Sequence, residues 1–364
     1  MPTTPAPRVG VPVRNYKSSV PFSFWPVAPT GRRYRQVGTL LVNSPFPILK
    51  HHAQVTDRTG EAAAYIELAD DFWKAAESTA VPRAVLFYYS FMNLFKAALV
   101  LRTRPATGLG FITHGLSMST DAPNDVSISP PRDRRKHSVF YDALASLGYI
   151  IPRSATFNLE NDILPHLVVG HRQWSEAASR AELFYPARSI ALRCLPTGSP
   201  PQMWAEIVLD RAILKRHHVA IGNLAPGAWL KGWRQVTSPT PNEILLQPKA
   251  TVNYVKQPGA GLLKVTGPLR SCLWRVVSPS SQSAEYYVHR RSSTSVNPPL
   301  PQIAYLYMLF FALGYVERYR PAIHSSLLSG KFGGLLAECL RTQPTQMLFL
   351  VASEVVEREL ERFT

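Results

Sequence analysis

Cysteine is scarce in this chain of 364 residues. Cys194, Cys272 and Cys339 are far apart and odd in number, which argues against a disulfide framework and against a zinc site. The sequence also lacks the phosphate loop G-x-x-x-x-G-K-S/T, the serine elbow G-x-S-x-G and a cysteine beside a catalytic partner. His217 and His218 have no companion ligands at metal spacing. We therefore expect neither a metal nor a cofactor.

We also expect no secretory leader. Prolines interrupt residues 1–35 every few positions, so no apolar run of the signal-peptide type follows a basic start. Arg83–Arg102 approaches the length of a membrane span, but Asn93 and Lys96 lie inside it, and a lysine near the bilayer centre costs about 3 kcal/mol. We therefore expect a cytoplasmic protein with no membrane contact, in which this segment is a core helix.

Acidic residues are absent from two long stretches. Residues 1–56 contain seven Lys or Arg and no acid, and five Lys or Arg but no acid lie between Glu243 and Glu285. Each stretch is either a solvated face or a surface that binds polyanions. With a formal net charge of +16, the chain should attract nucleic acid, phosphorylated nucleotides or an acidic partner. The loop cluster that is best suited to binding phosphate consists of Arg132, Arg134, Arg135 and Lys136.

Hydrophobic periodicity predicts helices on both sides of a β-rich segment. The expected order is a basic, irregular segment over 1–56, helices over 57–180, a β-rich insert over 181–298 and helices over 299–364. Within the insert, PPQMWAEIVLDRAILKR predicts a helix and GLLKVTG a strand. The fourteen-residue apolar run from Ile303 to Val316 predicts a core helix. The expected fold class is therefore α+β, mainly α, with the flanking helices packed together.

Three stretches carry residues that suggest chemistry: YYSFMNLFKAAL (88–99), THGLS (113–117) and VERYRPAIH (316–324). A tyrosine pair before Asn-Leu-x-Lys-Ala, a loop His-Gly-Leu and an apolar helix ending in Arg-Tyr-x-Pro resemble the YaaC-like family of bacterial proteins, over about 59–120 and 301–328. The helical core of that family is similar to the HEPN superfamily, which includes toxin and phage-defence ribonucleases. The resemblance implies a HEPN-like helical bundle split by the β-rich insert.

The resemblance also implies a catalytic pair. Arg318 and His324 have five residues between them and fit the Arg-x4-6-His motif of the superfamily. They would carry out metal-independent RNA cleavage, in which the arginine holds the scissile phosphate and the histidine moves a proton from the 2′-hydroxyl. Tyr319 departs from the small polar residue that often follows the motif arginine. Pro321 predicts that the helix ends near Arg318 or Tyr319 and that a new helix starts at Pro321, which would put Arg320, a candidate binding residue, one turn from His324. In the alternative, Arg318 and Arg320 cap the C-terminal end of a buried helix and His324 lies on the next one.

Asn93, Lys96 and His114 are further candidates for binding. Asn93 and Lys96 are three positions apart and so lie on one helix face. Either these two residues and His114 form a pocket that contacts phosphate, or Asn93 and Lys96 are the polar seam of a helical bundle and His114 with Gly115 forms a plain turn. Their joint fit to the family pattern favours a shared pocket.

Two functions from different classes follow from these patterns. The first is an RNA-directed effector of HEPN type, a metal-independent endoribonuclease in bacterial toxin or antiviral defence, which acts on RNA more than on DNA. The second is a non-catalytic subunit that binds nucleic acid or a nucleotide, or a scaffold of a multi-protein defence complex. The expected assembly is a homodimer or a complex with a protein encoded in the same operon.

Overall fold

The structure, a computed structural model, describes most of the chain. The described residues are 5–15, 17–30, 33–57, 59–79, 83–103, 109–110, 112–119, 124–129, 137–197, 200–216, 232–255, 259–277, 285–289 and 300–363. Helix accounts for about 49% and strand for about 23%, so the prediction of an α+β, mainly α fold is confirmed. The basic cluster at 132–136 and the histidines 217 and 218 lie outside the described residues.

The described helices alternate with short strands along the chain. The helices are α1 (Phe46–Thr56), α2 (Glu61–Ser78), α3 (Arg83–Thr103), α4 (Val139–Ser146), α5 (His171–Ala178), α6 (Arg211–Arg216), α7 (Gly259–Thr266), α8 (Gln302–Tyr319), α9 (Pro321–Ser329) and α10 (Gly333–Val356). A π-helical turn, Leu159–Ile163, and 3₁₀ turns at Leu164–His166 and Gly267–Ser271 accompany them.

The strands are β1 (Val11–Pro12), β2 (Arg14–Asn15), β3 (Ser18–Ser19), β4 (Val27–Thr30), β5 (Arg33–Gln36), β6 (Leu40–Val42), β7 (Ile112–Thr113), β8 (Leu116–Met118), β9 (Asp125–Ile128), β10 (His137–Ser138), β11 (Ala155–Asn158), β12 (Phe184–Leu195), β13 (Gln202–Asp210), β14 (Trp233–Val236), β15 (Glu243–Pro248), β16 (Val252–Asn253), β17 (Leu273–Arg275), β18 (Tyr286–His289) and β19 (Leu360–Arg362). The chain divides into two units, which we call the helical unit and the strand-rich unit.

The helical unit comprises residues 41–180, 292–356 and 362–364. Its central helix is α3, which packs against α2 and α4 and also against α8 and α10. Helices that precede and follow the strand-rich residues therefore share one core. Aromatic rings fill it: the centroids of Phe95 and Tyr307 are 4.5 Å apart, and those of Phe91 and Phe310 are 4.9 Å apart. Each such ring contributes about 1.5 to 3 kcal/mol by burial.

Arg83–Thr103 is the one helix among the described residues that is long and apolar enough to cross a bilayer. Inside the protein, 78% of its most apolar stretch is buried. Because Phe87, Phe91 and Phe95 are covered by neighbouring helices, this burial is that of a core helix in a soluble protein.

The strand-rich unit comprises residues 1–40, 181–291 and 357–361. Its main sheet has the strand order β14-β15-β13-β12-β18-β17, all antiparallel, with β1 added to β12 and β16 to β13. The first residues of the chain also contribute to its core, in which Val13 and Trp25 are buried. Among the described residues before α1, Val13, Val20, Phe24 and Trp25 therefore pack in the core of the sheet.

Two predictions of local structure are wrong. The predicted helix PPQMWAEIVLDRAILKR is strand β13 followed by the short helix α6, because Met203, Ala205, Ile207 and Leu209 alternate into the core of the sheet while both strand edges are paired. The predicted strand GLLKVTG is helix α7, in which Leu262 and Thr266, four residues apart, bury one face.

Residues 1–56 were predicted to be extended or irregular, with a possible strand or short helix in TLLVNSPFPIL (39–49) that two prolines stop. They contain short strands and helix α1. Pro45 and Pro47 do not stop this helix, since they lie at its N-cap and in its first turn, where a missing N–H is not needed.

Candidate functional site

A cavity of about 320 Å³ opens in the helical unit between α3, β8 and α8. We call it the Tyr88 cavity. It is lined by Val85, Tyr88, Tyr89, His114, Leu116, Ser117, Met118, Phe311, Gly314, Tyr315, Arg318 and Tyr319. Five of these side chains are aromatic rings of Tyr or Phe, two carry basic groups, and none is a carboxylate. The lining therefore suits a flat, anionic ligand.

Close packing of α3 and α8 places the two helix faces around this cavity. A Cβ atom at Gly314 would lie 3.3 Å from the Cα of Val85, so glycine allows the closest approach. The carboxylate of Glu317 accepts a hydrogen bond of 2.9 Å from the backbone N–H of Val85, in the first turn of α3. This contact fixes the last turn of α8 against the start of α3 and satisfies an N–H that the helix itself leaves without a partner.

His114 is held by backbone pairing on both sides. Before it, β7 pairs in parallel with β10, and after it, β8 pairs antiparallel with β9. The carbonyl of His114 accepts a hydrogen bond of 3.2 Å from the N–H of Phe140 at the start of α4. Gly115 has φ of +77°, and a Cβ atom there would lie 1.8 Å from the Oγ of Ser138. Glycine is therefore needed directly beside the histidine.

Tyr88 and His114 form a hydrogen-bonded pair. The Tyr88 hydroxyl lies 2.7 Å from Nδ1 of His114. Burial raises the pKa of Tyr88 well above its ordinary value, so its phenol stays protonated. Partial burial, the charge of Lys96 and the charge of Arg318 lower the pKa of His114, in that order. We therefore assign Tyr88 as the donor to a neutral imidazole, which leaves the proton of the ring on Nε2.

Arg318 supplies a cation at the exposed side of the cavity. Its Nη1 donates a hydrogen bond to the Tyr89 hydroxyl, and its guanidinium carbon lies 4.9 Å from the centroid of the Tyr319 ring. Within the described part of the chain, no carboxylate lies within ion-pair distance of this guanidinium. Its remaining N–H groups are therefore available to an anionic ligand.

Lys96 lies behind the cavity lining on α3. Its Nζ is 5.3 Å from the centroid of the Tyr65 ring, and burial lowers its pKa. Among the residues that the structure describes, no carboxylate forms an ion pair with it. Lys96 does not touch the cavity, but its charge acts on His114. Three basic groups thus lie near one another without a neutralising carboxylate.

The family model of the YaaC-like proteins matches residues 44–355. The chain belongs to the YaaC-like family. The expected resemblance is thereby confirmed, and the match also spans the strand-rich residues that the resemblance had left out. No curated protein and no solved structure matches the chain.

In this YaaC-like chain the predicted site residues fall into separate places. Arg318 and His114 lie together on the Tyr88 cavity, and Lys96 is close enough to influence His114. Asn93 is buried, and its Nδ2 donates to the carbonyl of Tyr89 at 2.9 Å within α3. The basic cluster Arg132, Arg134, Arg135 and Lys136 lies outside the described residues.

The catalytic pair implied by the resemblance is not brought together on the cavity. As predicted, α8 ends at Tyr319 and α9 begins at Pro321, and Arg320 stands between the two helices. The carbonyl of Arg320 accepts a hydrogen bond of 3.0 Å from the N–H of His324, one turn later. His324 is half-buried on α9, does not line the cavity, and its enclosed Nε2 has no hydrogen-bond partner among the described residues.

The YaaC-like cavity also contains residues that the sequence reasoning did not assign to a site. These are Tyr88, Tyr89, Tyr315 and Tyr319. Tyr315 and Tyr319 are four positions apart on the last turns of α8, with ring centroids 5.1 Å from each other. This spacing indicates that both rings lie on one helix face, but the sequence alone does not distinguish a buried face from one that lines a cavity.

Proposed function

We propose that this YaaC-like protein is an RNA-directed protein with a HEPN-like helical bundle, and that it binds a phosphorylated nucleotide of its RNA in the Tyr88 cavity. One observation carries this proposal. Arg318 and His114, neither of which has a carboxylate partner among the described residues, face a cavity whose other walls are largely aromatic rings.

The chemistry of the lining matches single-stranded RNA. Aromatic faces stack on bases, and each such contact is worth about 1 to 3 kcal/mol. A guanidinium donates two parallel hydrogen bonds to a phosphate. The net charge of +16 would draw a polyanion toward the protein at long range. The preference for RNA over DNA comes from the family resemblance, since stacking on aromatic side chains serves single-stranded RNA and DNA alike.

Binding without cleavage is the form of this function that the geometry supports best. The catalytic pair implied by the family resemblance needs the His324 imidazole and the Arg318 guanidinium at one phosphate, and His324 does not line the cavity that contains Arg318. The protein would then act as a nucleic-acid-binding subunit, in bacterial toxin or antiviral defence, together with a partner from the same operon.

Metal-independent RNA cleavage is the second candidate. The Tyr88–His114 pair favours it, because the His114 imidazole and the Arg318 guanidinium are the two groups that such a reaction needs. Catalysis by Arg318 and His324 stays a prediction of the family resemblance. The cleavage assay compares His324 directly with His114.

Binding is tested with fluorescently labelled single-stranded RNA and DNA of the same sequence, at several salt concentrations. We expect tighter binding of RNA, and we expect Arg318→Ala to weaken it about tenfold. Arg341→Ala is the matched control, since Arg341 is exposed on α10 and paired with Glu338 away from the cavity. Equal RNA binding by wild type and Arg318→Ala would overturn the assignment of this cavity.

Cleavage is tested in EDTA with total cellular RNA and tRNA. Wild type is compared with His114→Ala and His324→Ala. Intact RNA with the wild-type protein supports the binding function. Cutting that is lost only in His324→Ala supports the family's catalytic pair, and cutting that is lost only in His114→Ala places catalysis at the Tyr88 cavity.

A further inference from the structure

Among the described residues, the charged groups that line the Tyr88 cavity or act on His114 are all basic. His114 and Arg318 lie on its lining, and Lys96 lies within electrostatic range of His114. The nearest acidic side chain of α8, Glu317, is directed to the start of α3, where it accepts the N–H of Val85. An anion in the cavity would therefore relieve repulsion among the three basic groups.

The volume of the cavity restricts what that anion can be. Small-molecule sites span about 300 to 1,000 Å³, and about 320 Å³ lies at the lower end of this range. The space suits one nucleotide unit better than several stacked ones. A single unit can present either one internal phosphodiester or one terminal phosphate.

We infer that the ligand of the Tyr88 cavity is a nucleotide with a terminal phosphate, and that His114 takes up a proton when this phosphate binds. The inference rests on the proposed function and names its substrate class. A terminal phosphate carries about −1.5 to −2 charge at neutral pH, because its second pKa is about 6. An internal phosphodiester carries a single negative charge, so the terminal group matches the cluster of basic side chains better.

The Tyr88–His114 pair can accommodate this extra proton. In the tautomer assigned to the free protein, the Tyr88 O–H donates to Nδ1 of the neutral ring. A proton taken from the buffer would occupy Nδ1, and the Tyr88 hydroxyl would rotate so that its oxygen accepts the new N–H. The proton on Nε2 stays in place, so the imidazolium keeps a donor for the phosphate. No bond other than these hydrogen bonds is made or broken.

The groups that face His114 set the direction of this change. Among the described residues they are Tyr88 and Lys96 of α3 and Arg318 of α8. Asp142 of α4 is directed instead to β10, where it accepts the N–H of Ser138 at 2.6 Å and lies 3.4 Å from Nδ1 of His137. The two nearby cations disfavour the imidazolium in the free protein, and a bound dianion reverses this preference.

The first arm of the test compares ligands by titration calorimetry at pH 7. The probes are 5′-AMP, adenosine, and one short single-stranded RNA with either a 5′-phosphate or a 5′-hydroxyl. We expect the phosphate to tighten binding at least about tenfold in one or both pairs. A gain for AMP over adenosine identifies a free nucleotide as a ligand, and a gain confined to the RNA pair identifies an RNA end. Equal affinities within both pairs would overturn the inference.

The second arm counts protons. Each titration is repeated in buffers with different enthalpies of ionisation, and the slope gives the number of protons taken up. Wild type should take up between zero and one proton for each ligand bound at pH 7. His114→Gln should take up fewer, because glutamine keeps a hydrogen-bond donor but does not titrate. Equal uptake by the two proteins would overturn the role of His114. Arg341→Ala should behave like wild type.

Failure of this inference differs from failure of the proposed function. If no RNA and no nucleotide binds, both are wrong. If RNA binds and Arg318→Ala weakens it, but the terminal phosphate adds nothing, the cavity binds RNA through internal phosphates and only this inference is wrong.

Discussion

The hydroxyl of Tyr88 lies 2.7 Å from Nδ1 of His114, and this hydrogen bond connects the central helix of the helical unit to the loop between β7 and β8. Tyr88 is buried, whereas His114 reaches the exposed lining of the cavity. The pair therefore joins the core of the protein to its candidate site. Both its protonation and its stability can be measured.

Tyr88→Phe should lower the free energy of unfolding by about 1 kcal/mol. The substitution keeps the ring and removes one buried hydroxyl that donates to His114. Tyr315→Phe is the control, because the Tyr315 hydroxyl has no hydrogen bond to another side chain among the described residues. Urea unfolding followed by tryptophan fluorescence measures both. Equal stability of the two variants would contradict the buried hydrogen bond.

The pKa of His114 should be below 6.5 in wild type and should rise in Arg318→Ala. Partial burial, Lys96 and Arg318 lower it, and removal of a positive neighbour favours the charged imidazolium. Titration of the His114 ring by NMR measures the value directly. Arg341→Ala, which removes a distant exposed cation, should leave the pKa unchanged. A pKa that falls in Arg318→Ala would contradict the proximity of the two groups.

Gly115→Ala should destabilise the protein by about 1 to 3 kcal/mol and displace His114. The left-handed backbone at φ of +77° is one cause, and the contact of the new Cβ with the Oγ of Ser138 is the other. Gly148→Ala isolates the first cause, because Gly148 has φ of +86° and nothing within 4 Å of the added Cβ. Thermal unfolding compares the two variants. A smaller loss for Gly115→Ala than for Gly148→Ala would show that Ser138 does not confine this turn.

The long helices of the fold were predictable because their apolar runs are longer than strands usually are. Arg83–Thr103 and Gln302–Tyr319 are buried on nearly all sides, so their composition alone identifies them. Strand β13 was not predictable in the same way. Its residues include good helix formers, and its alternation into the core becomes evident only when β12 and β15 pair with it.

The candidate site was predictable in part. Arg318 and His114 belong to motifs that the sequence shows, and the structure brings both to one cavity. The tyrosines of the cavity could not be assigned, because burial depends on packing. Tyr307 and Tyr315 lie on the same helix, yet Tyr307 is fully buried in the core while Tyr315 lines the cavity. Neither the one-dimensional pattern nor the residue type separates these two roles.

Arg275→Met should cost about 3 to 5 kcal/mol in the strand-rich unit. Arg275 is 1% exposed, and its guanidinium lies 3.1 Å from Glu361 and 3.4 Å from Glu285. Its removal leaves the buried carboxylate of Glu359 and the partly exposed carboxylates of Glu285 and Glu361 without this cation. Arg188→Met is the matched control, since Arg188 is 58% exposed beside Glu243 and such pairs contribute about 0 to 1 kcal/mol. Similar losses in both variants, measured by urea unfolding, would contradict a special role of the buried pair.

Glu285 should make this unit less stable as the pH rises from 5 to 8. Burial raises the pKa of Glu285 from 4.5 to about 7; Arg275 opposes the shift, and Glu359 and Glu361 add to it. Since the folded state binds this proton more tightly than the unfolded state, the stabilising contribution is complete below about pH 4.5 and is lost as the pH passes 7. Glu285→Gln cannot titrate, so its unfolding midpoints at pH 5 and pH 8 should differ less than those of wild type. Glu338→Gln, which alters an exposed pair with Arg341, should keep the wild-type dependence. An unchanged pH dependence in Glu285→Gln would show that this carboxyl ionises alike in the folded and unfolded protein.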